Sequence, residues 1–252
     1  MKVSEFYEFI CEKIPSSLSL PGDVDGMSCC PDPDIEIERV LIALDVTGDV
    51  VEEAIAEGCQ VILAHHPMLF GGIGSVCASD PRGSKLIRLI DNRIAVMSFH
   101  TRLDAADGGV SDILAGLLGV TDTVKAGDGD LLRVGRIERP LYAEQFADRI
   151  RDTLGAPYVA YSDTGRQIRK VAVAGGSVRS LIGAAAACGA DALVGGEVGY
   201  HSLTDSADSG LCIFEAGHFY TENPVCSRLF ELCVEAGVTA VMTFSDRIRV
   251  SK

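Results

Sequence analysis

The chain has 252 residues, 47% of them hydrophobic and 6% aromatic, with no tryptophan and a formal net charge of −14. That length suits one large domain or two small ones with cores of Val, Ile, Leu and Ala, and the acidity argues against nucleic-acid binding, which needs a basic surface. No apolar run approaches the roughly 20 residues of a membrane span, and Met1–Glu5 leads into an amphipathic stretch, not a signal peptide, so a soluble cytoplasmic protein is expected.

In chain order, Val40–Leu44 is apolar and β-rich and predicts a strand. Val50–Glu57 predicts a helix with Ala54 and Ile55 inward. Val61–Ala64 is a second short strand, ended by Pro67. Gly83–Ile90 predicts a helix, Ile94–Phe99 a strand and Gly108–Leu118 a helix. The segment Asp128–Arg139 is polar and charged and is expected to be a junction. The rhythm then resumes: strand Val171–Ala174, helix Ser180–Ala187, strands Ala192–Val194 and Leu211–Phe214, helix Val225–Glu235, strand Val241–Phe244. Short apolar strands separated by helices define an α/β protein with sheets flanked by helices.

The two parts of this pattern match each other. Arg39–His66 aligns without a gap on Lys170–Glu197, pairing Val40 with Val171, Gly58 with Gly189 and His66 with Glu197. A second pair of segments ends in His100-x3-Asp104 and His218-x3-Glu222, so each apolar strand delivers a histidine and then a carboxylate four residues on. Two related α/β domains from an internal duplication are expected, covering residues 1–127 and 128–252 and both contributing to one metal site.

All five histidines, at 65, 66, 100, 201 and 218, lie at or soon after the C-terminal end of a predicted strand. That is the edge at which α/β sheets bind ligands. Imidazole and carboxylate together suit Zn, Fe, Mn, Co or Ni. His65 and His66 are adjacent, so on an extended backbone their rings diverge, an arrangement suited to two neighbouring ions. Asp104 or Glu222 could bridge such a pair, and Glu222 is expected to open the last long helix, with Thr221 as its N-cap. Arg102, between His100 and Asp104, either steers a phosphate or pairs with an acid at the rim.

Other patterns carry less. Gly71-Gly72-Ile73-Gly74 has no following Gly-Lys-Ser/Thr and is expected to be a loop beside the histidine pair. Gly108-Gly109 and Gly175-Gly176 are expected to be turns. Among the nine cysteines there is no C-x-x-C pair. Cys59, Cys188, Cys212 and Cys233 fall in apolar runs and are expected to be reduced and buried, whereas Cys29-Cys30 lies in a segment open to exposure.

Four segments together resemble the Nif-three-like dinuclear-metal family, whose members commonly carry the name type 2 GTP cyclohydrolase I. They are Leu44–Phe70, His100–Gly119, Gly195–His201 and Ala216–Glu222, and they run in family order. The resemblance implies a two-domain α/β fold, a homohexameric ring and a dinuclear site facing an internal cavity. Its ligands fall on His65, His66, Asp104, His218 and Glu222, with His100 as a neighbouring group that either supports the ligands from behind or transfers a proton. The chain departs from the family at two places: Arg102 stands where members usually carry Asn or a small polar residue, and Pro21–Cys30 replaces a Trp-Asp-Asn-type stretch. Substrate contacts are where these departures are expected to tell.

The expected function is thus that of a metal-dependent hydrolase with two divalent ions per chain, acting on a purine nucleotide such as GTP or a related substrate. The alternatives are a metal-dependent phosphoesterase and a non-catalytic regulatory or scaffold ring.

Overall fold

The computed structural model describes residues 1–244 together with Asp246 and Ile248. It divides into two compact units, Met1–Leu103 with residues 225–244, and Asp104–Pro224. These do not follow the expected halves: the chain leaves the first unit at residue 103 and returns to it at 225 for a final helix and strand.

In the first unit the sheet consists of β1 (Gly26–Cys29), β2 (Arg39–Ala43), β3 (Val61–Ala64), β4 (Ala95–Ser98) and β11 (Thr239–Met242), in the order β1-β4-β3-β2-β11. Strands β4, β3, β2 and β11 run parallel, and β1 is antiparallel at one edge. Strands β3 and β4 are buried along their whole length, which is why they read as unbroken Val, Ile, Leu and Ala runs and not as alternation. Helices α1 (Val3–Lys13), α2 (Gly48–Ala56), α3 (Pro81–Asp91) and α10 (Cys226–Glu235) complete the unit. Helix α1 buries Val3, Phe6 and Ile10, a helical stripe. Thr47 caps α2 by accepting from Val50 N, and Asp80 caps α3 by accepting from Gly83 N. Leu41, Val50, Ala54, Ile62, Leu89 and Val96 lie at the centre of the core. The last predicted strand is two residues early in the fold: it ends at Met242, with Phe244 beyond it and exposed.

Parallel pairing decides what meets at the sheet edge. Register aligns Ala43 with Ala64 and Ala64 with Ser98 across β2, β3 and β4. Two residues past that row stand Asp45, His66 and His100, delivered to the same edge by three neighbouring strands.

In the second unit the sheet is β5 (Val120–Ala126), β6 (Leu132–Leu141), β8 (Ile168–Val173), β9 (Ala192–Gly195), β10 (Cys212–Glu215) and β7 (Ala160–Tyr161), in the order β5-β6-β8-β9-β10-β7. Only β8-β9-β10 is parallel. One face packs on α5 (Val110–Leu117) and α6 (Ala143–Leu154) through Leu114, Phe146, Ile150 and Phe214. The other carries α7 (Ile182–Ala187) and α8 (Tyr200–Asp208), through Ala185, Leu193 and Ile213. The repeat is visible in the pairing itself: Val40 pairs with Val61 in the first sheet, and their counterparts Val171 and Ala192 pair in the second.

The expected junction over 128–139 is instead a short 3-10 turn, Asp128–Asp130, and most of strand β6. Its partner β5 is exposed at five consecutive residues, so neither strand shows the hydrophobic run that marks the others. Among the described residues no helix is long and apolar enough to cross a membrane. All nine cysteines are free thiols. Cys59, Cys212 and Cys233 are buried as expected, Cys188 is half-buried, and Cys29 is buried on β1, not exposed.

Candidate metal centre

In the first unit, His65 and His66 follow β3 directly and His100 follows β4 after one residue more. The rings of His65 and His66 lie 4.9 Å apart, and both lie near His100, at 5.4 and 5.7 Å. They therefore do not diverge: the strand ends at Ala64, the backbone bends ahead of Pro67, and the alternation of an extended chain no longer applies. One ring nitrogen from each of the three histidines lies within 4.8 Å of the others, a cluster that could hold a metal ion.

Each of these rings is held on the same side. His65 Nδ1 is 2.9 Å from the carbonyl oxygen of Phe99. His66 Nδ1 is 2.8 Å from Asp45 Oδ1, and His100 Nδ1 is 2.8 Å from Asp23 Oδ1. Carbonyl and carboxylate oxygens only accept, so the ring nitrogen donates in every case. Asp23 is further held by the backbone N–H of Thr101 at 3.0 Å and its hydroxyl at 2.6 Å. Burial pushes the Asp23 carboxyl up, but the bonds from Thr101 and His100 outweigh it and hold the group below its ordinary value. Beside His66 opens a cavity of about 530 Å³ whose lining includes Asp45, Thr47, Ser84 and Lys85.

Arg102 pairs with an acid, the second of its expected roles, but does so buried and not at the rim. Its side chain is 1% exposed, its Nε lies 2.9 Å from Asp25 Oδ2, its Nη1 donates to the Ile14 carbonyl at 3.1 Å, and it stacks 4.3 Å from the Phe99 ring. A guanidinium enclosed in this way is structural and not a phosphate guide. Gly26 leaves room for it, since a Cβ there would lie 2.7 Å from the Tyr7 hydroxyl and 3.6 Å from Arg102 Nη2.

In the second unit, His218 and Glu222 open and close a five-residue helix, α9 (His218–Glu222), one turn apart on one face. His218 Nε2 is 2.9 Å from Glu222 Oε2, and its Nδ1 is 3.4 Å from Glu197 Oε1. Glu222 thus ends a short helix and does not open the last long one; a 3-10 turn, Asn223–Val225, separates it from α10. Thr221 does not cap α10 either: its hydroxyl bonds back to the carbonyls of Gly217 and His218 and accepts from Gly176 N.

The glycines at this edge are spacers for the carboxylate. A Cβ on Gly176 would lie 2.1 Å from Glu222 Oε1 and 3.1 Å from His218 Nε2, and one on Gly175 would lie 2.8 Å from Glu222 Cγ. Gly176 also has a φ of +59°, which a side chain resists. The pair does form a turn, as expected, but the turn makes a cradle. Asp104 lies on the helix α4 (Thr101–Ala105), whose last carbonyl is held by Arg133 at 3.1 Å. His201 is exposed on α8 with its ring against Tyr200. Gly71–Gly74 forms the expected exposed loop after the histidine pair.

The residues fit a metal on their chemistry. Donation from Nδ1 leaves the lone pair of each first-unit imidazole on Nε2, and a carboxylate or carbonyl partner on the far nitrogen is the usual support of a metal-ligating histidine. The glycine cradle keeps His218 and Glu222 close enough to share one ion. Asp23, Asp45 and the cradle carry no signal in the sequence, whereas Glu197 does, through its alignment with His66.

The family model for Duf34/NIF3 (NGG1p interacting factor 3) matches residues 1–248. A "GTP cyclohydrolase 1 type 2 homolog" from Clostridium perfringens is 32% identical over 241 residues, covering 92% of this chain and 90% of that protein. A Bacillus cereus protein related to NIF3 superposes with a TM-score of 0.89 at 22% identity, over 100% of this chain and 99% of that one, which shows the shared fold. The reduced form of HcgD from Methanocaldococcus jannaschii superposes with a TM-score of 0.84 at 27% identity, over 96% and 97% of the two chains.

Proposed function

The chain belongs to the Duf34/NIF3 family, and from that premise we propose that it is a metal-dependent hydrolase of the type 2 GTP cyclohydrolase kind. In this reading His65, His66, Asp104, His218 and Glu222 hold two divalent first-row ions. The observation that carries it is the set of three imidazoles at one sheet edge, one ring nitrogen of each within 4.8 Å of the others and each Nδ1 held by an oxygen.

Bound there, divalent ions supply Lewis acidity, polarising a substrate oxygen and bringing the pKa of a water towards neutrality. The chain's own residues do the rest. His100, oriented by Asp23, takes or returns a proton at Nε2. The cavity beside His66 admits a small substrate, and Thr47, Ser84 and Lys85 offer it polar contacts. The name of the relatives makes GTP or a related purine nucleotide the first substrate to try. A phosphoester would use the same groups.

The test is metal content per chain by elemental analysis, on wild type and on His66→Ala and Glu222→Ala. Two ions per wild-type chain, with losses in both variants, supports the reading, and turnover of GTP and phosphoesters then separates the substrates. A wild type that takes up none of Zn, Fe, Mn, Co or Ni overturns it. The family description names an interacting factor, which favours a second reading as a regulatory metal protein. There, ligand variants lose metal and keep partner binding, and no turnover is found. The ring of six implied by the resemblance is part of the proposal, and light scattering at about six times the 26.7 kDa chain mass would support it; a monomer would not.

A further inference from the structure

We propose that Asp45 and Asp23 are positioning residues that fix the tautomer of the site histidines. Each carboxylate takes the Nδ1 proton of one ring, so that Nε2 is presented as the accepting nitrogen. What that nitrogen is used for rests on the dinuclear reading above; the tautomer is a property of the metal-free chain.

Three observations converge. The Nδ1 to oxygen distance is 2.8 Å for both His66–Asp45 and His100–Asp23. A free imidazole in water favours the proton on Nε2, so a ring held as Nδ1–H needs a placed acceptor, and all three first-unit rings have one, His65 using the Phe99 carbonyl. The acceptors are themselves fixed. Asp23 has a side chain only 4% exposed and is tied to Thr101 by two further bonds. Asp45 is set by strand register: it lies two residues past Ala43, as His66 lies two past Ala64 in the paired strand. An acceptor just past the end of the neighbouring strand, where His66 N still bonds to Leu44 O at 2.9 Å, meets the ring without a long flexible arm. Neither aspartate is among the expected ligands, and each holds the Nδ1 of one histidine, Asp45 also lining the cavity beside His66.

The first experiment is ring 15N NMR of the metal-free protein at about pH 8.5, where an ordinary imidazole is neutral. Wild type is expected to show His65, His66 and His100 protonated at Nδ1. Asp45→Ala returns His66 alone to the Nε2–H form, and Asp23→Ala returns His100 alone. Asp45→Asn and Asp23→Asn, whose amide oxygens still accept, keep the wild-type tautomers, and they carry the test if an alanine variant does not fold. Wild-type rings protonated at Nε2, or an Asp45→Ala spectrum identical to wild type, overturn the proposal.

The second experiment is titration with Co(II), followed by its visible absorption. Asp45→Ala is expected to weaken binding about 10–100-fold at unchanged final stoichiometry, with Asp45→Asn closer to wild type. A lowered stoichiometry would make Asp45 a ligand and overturn the positioning role. A wild type that binds no Co(II) fails the dinuclear reading instead, and the NMR result still decides the tautomers.

Discussion

Arg102 Nε stands 2.9 Å from Asp25 Oδ2, with side chains 1% and 11% exposed. The two residues lie 77 positions apart in the chain, and a cation buried at Arg102 requires the buried anion that Asp25 supplies. Arg102 also ties the end of α1 to the strand end that carries His100, through the Ile14 carbonyl and the Phe99 ring.

Breaking that pair from one side should therefore be costly. Arg102→Ala or Asp25→Ala each leaves a buried charge alone and should lower unfolding free energy by about 3–5 kcal/mol. The double variant should fall short of the sum by about 1–3 kcal/mol. Urea unfolding of the four proteins measures this, and strictly additive losses would show that the pair is not coupled.

Gly176→Ala should unseat Glu222. The added methyl would sit 2.1 Å from Glu222 Oε1, on a backbone with φ of +59°. Gly189→Ala is the control, with φ of +66° and nothing within 4 Å. Both should lose about 1–2 kcal/mol to backbone strain, but only Gly176→Ala should lose bound metal by elemental analysis. Equal metal content in the two variants would contradict the cradle.

Arg133 should prove nearly as costly to remove as Arg102. Its guanidinium is buried against Asp112 and donates to the carbonyls of Asp130 at 2.7 Å and of Ala105 and Ala106 at 3.1 Å each. Arg133→Ala should cost about 3–5 kcal/mol, and Arg133→Lys should recover only part, because one ammonium cannot span those acceptors. A loss below about 1 kcal/mol for Arg133→Ala in urea unfolding would show that the clamp contributes little.

The thiols should divide sharply in reactivity. Cys77 is exposed and should react first with a thiol reagent in the folded protein. Burial pushes Cys29 and Cys59 up to about 11, and Cys226 and Cys233 up to about 12, so all four should stay silent until unfolding. The sign for stability follows. Unfolded thiols lose protons near 9.0 while these folded ones keep theirs, so the unfolded state binds fewer protons and stability falls as pH rises from about 9 towards 12. Cys226→Ala should flatten that fall, and an unchanged slope would refute the link.

Much of the fold was legible because both faces of the parallel strands are covered. Val61–Ala64 and Ala192–Gly195 are buried at every position, so each appears in the sequence as a short apolar block. Strand β5 was not legible, since Thr121 to Lys125 face solvent and only its ends carry a hydrophobic signal. The start of the last long helix was misplaced for another reason. Glu222 precedes Asn223-Pro224-Val225, and a proline suits both the first turn of a helix and the 3-10 turn that here separates Glu222 from α10.

By itself, the sequence determined the α/β class, the matched βαβ units and the histidines and acids that end their strands, because burial and chain direction act over a few residues at a time. Tertiary structure alone decided which groups meet. Register brought Asp45 beside His66 across 21 positions, the fold brought Asp23 to His100 across 77, and Gly176 opened space for a carboxylate 46 residues further on. Pairing over such separations depends on strand order and alignment, which no local pattern of residues encodes.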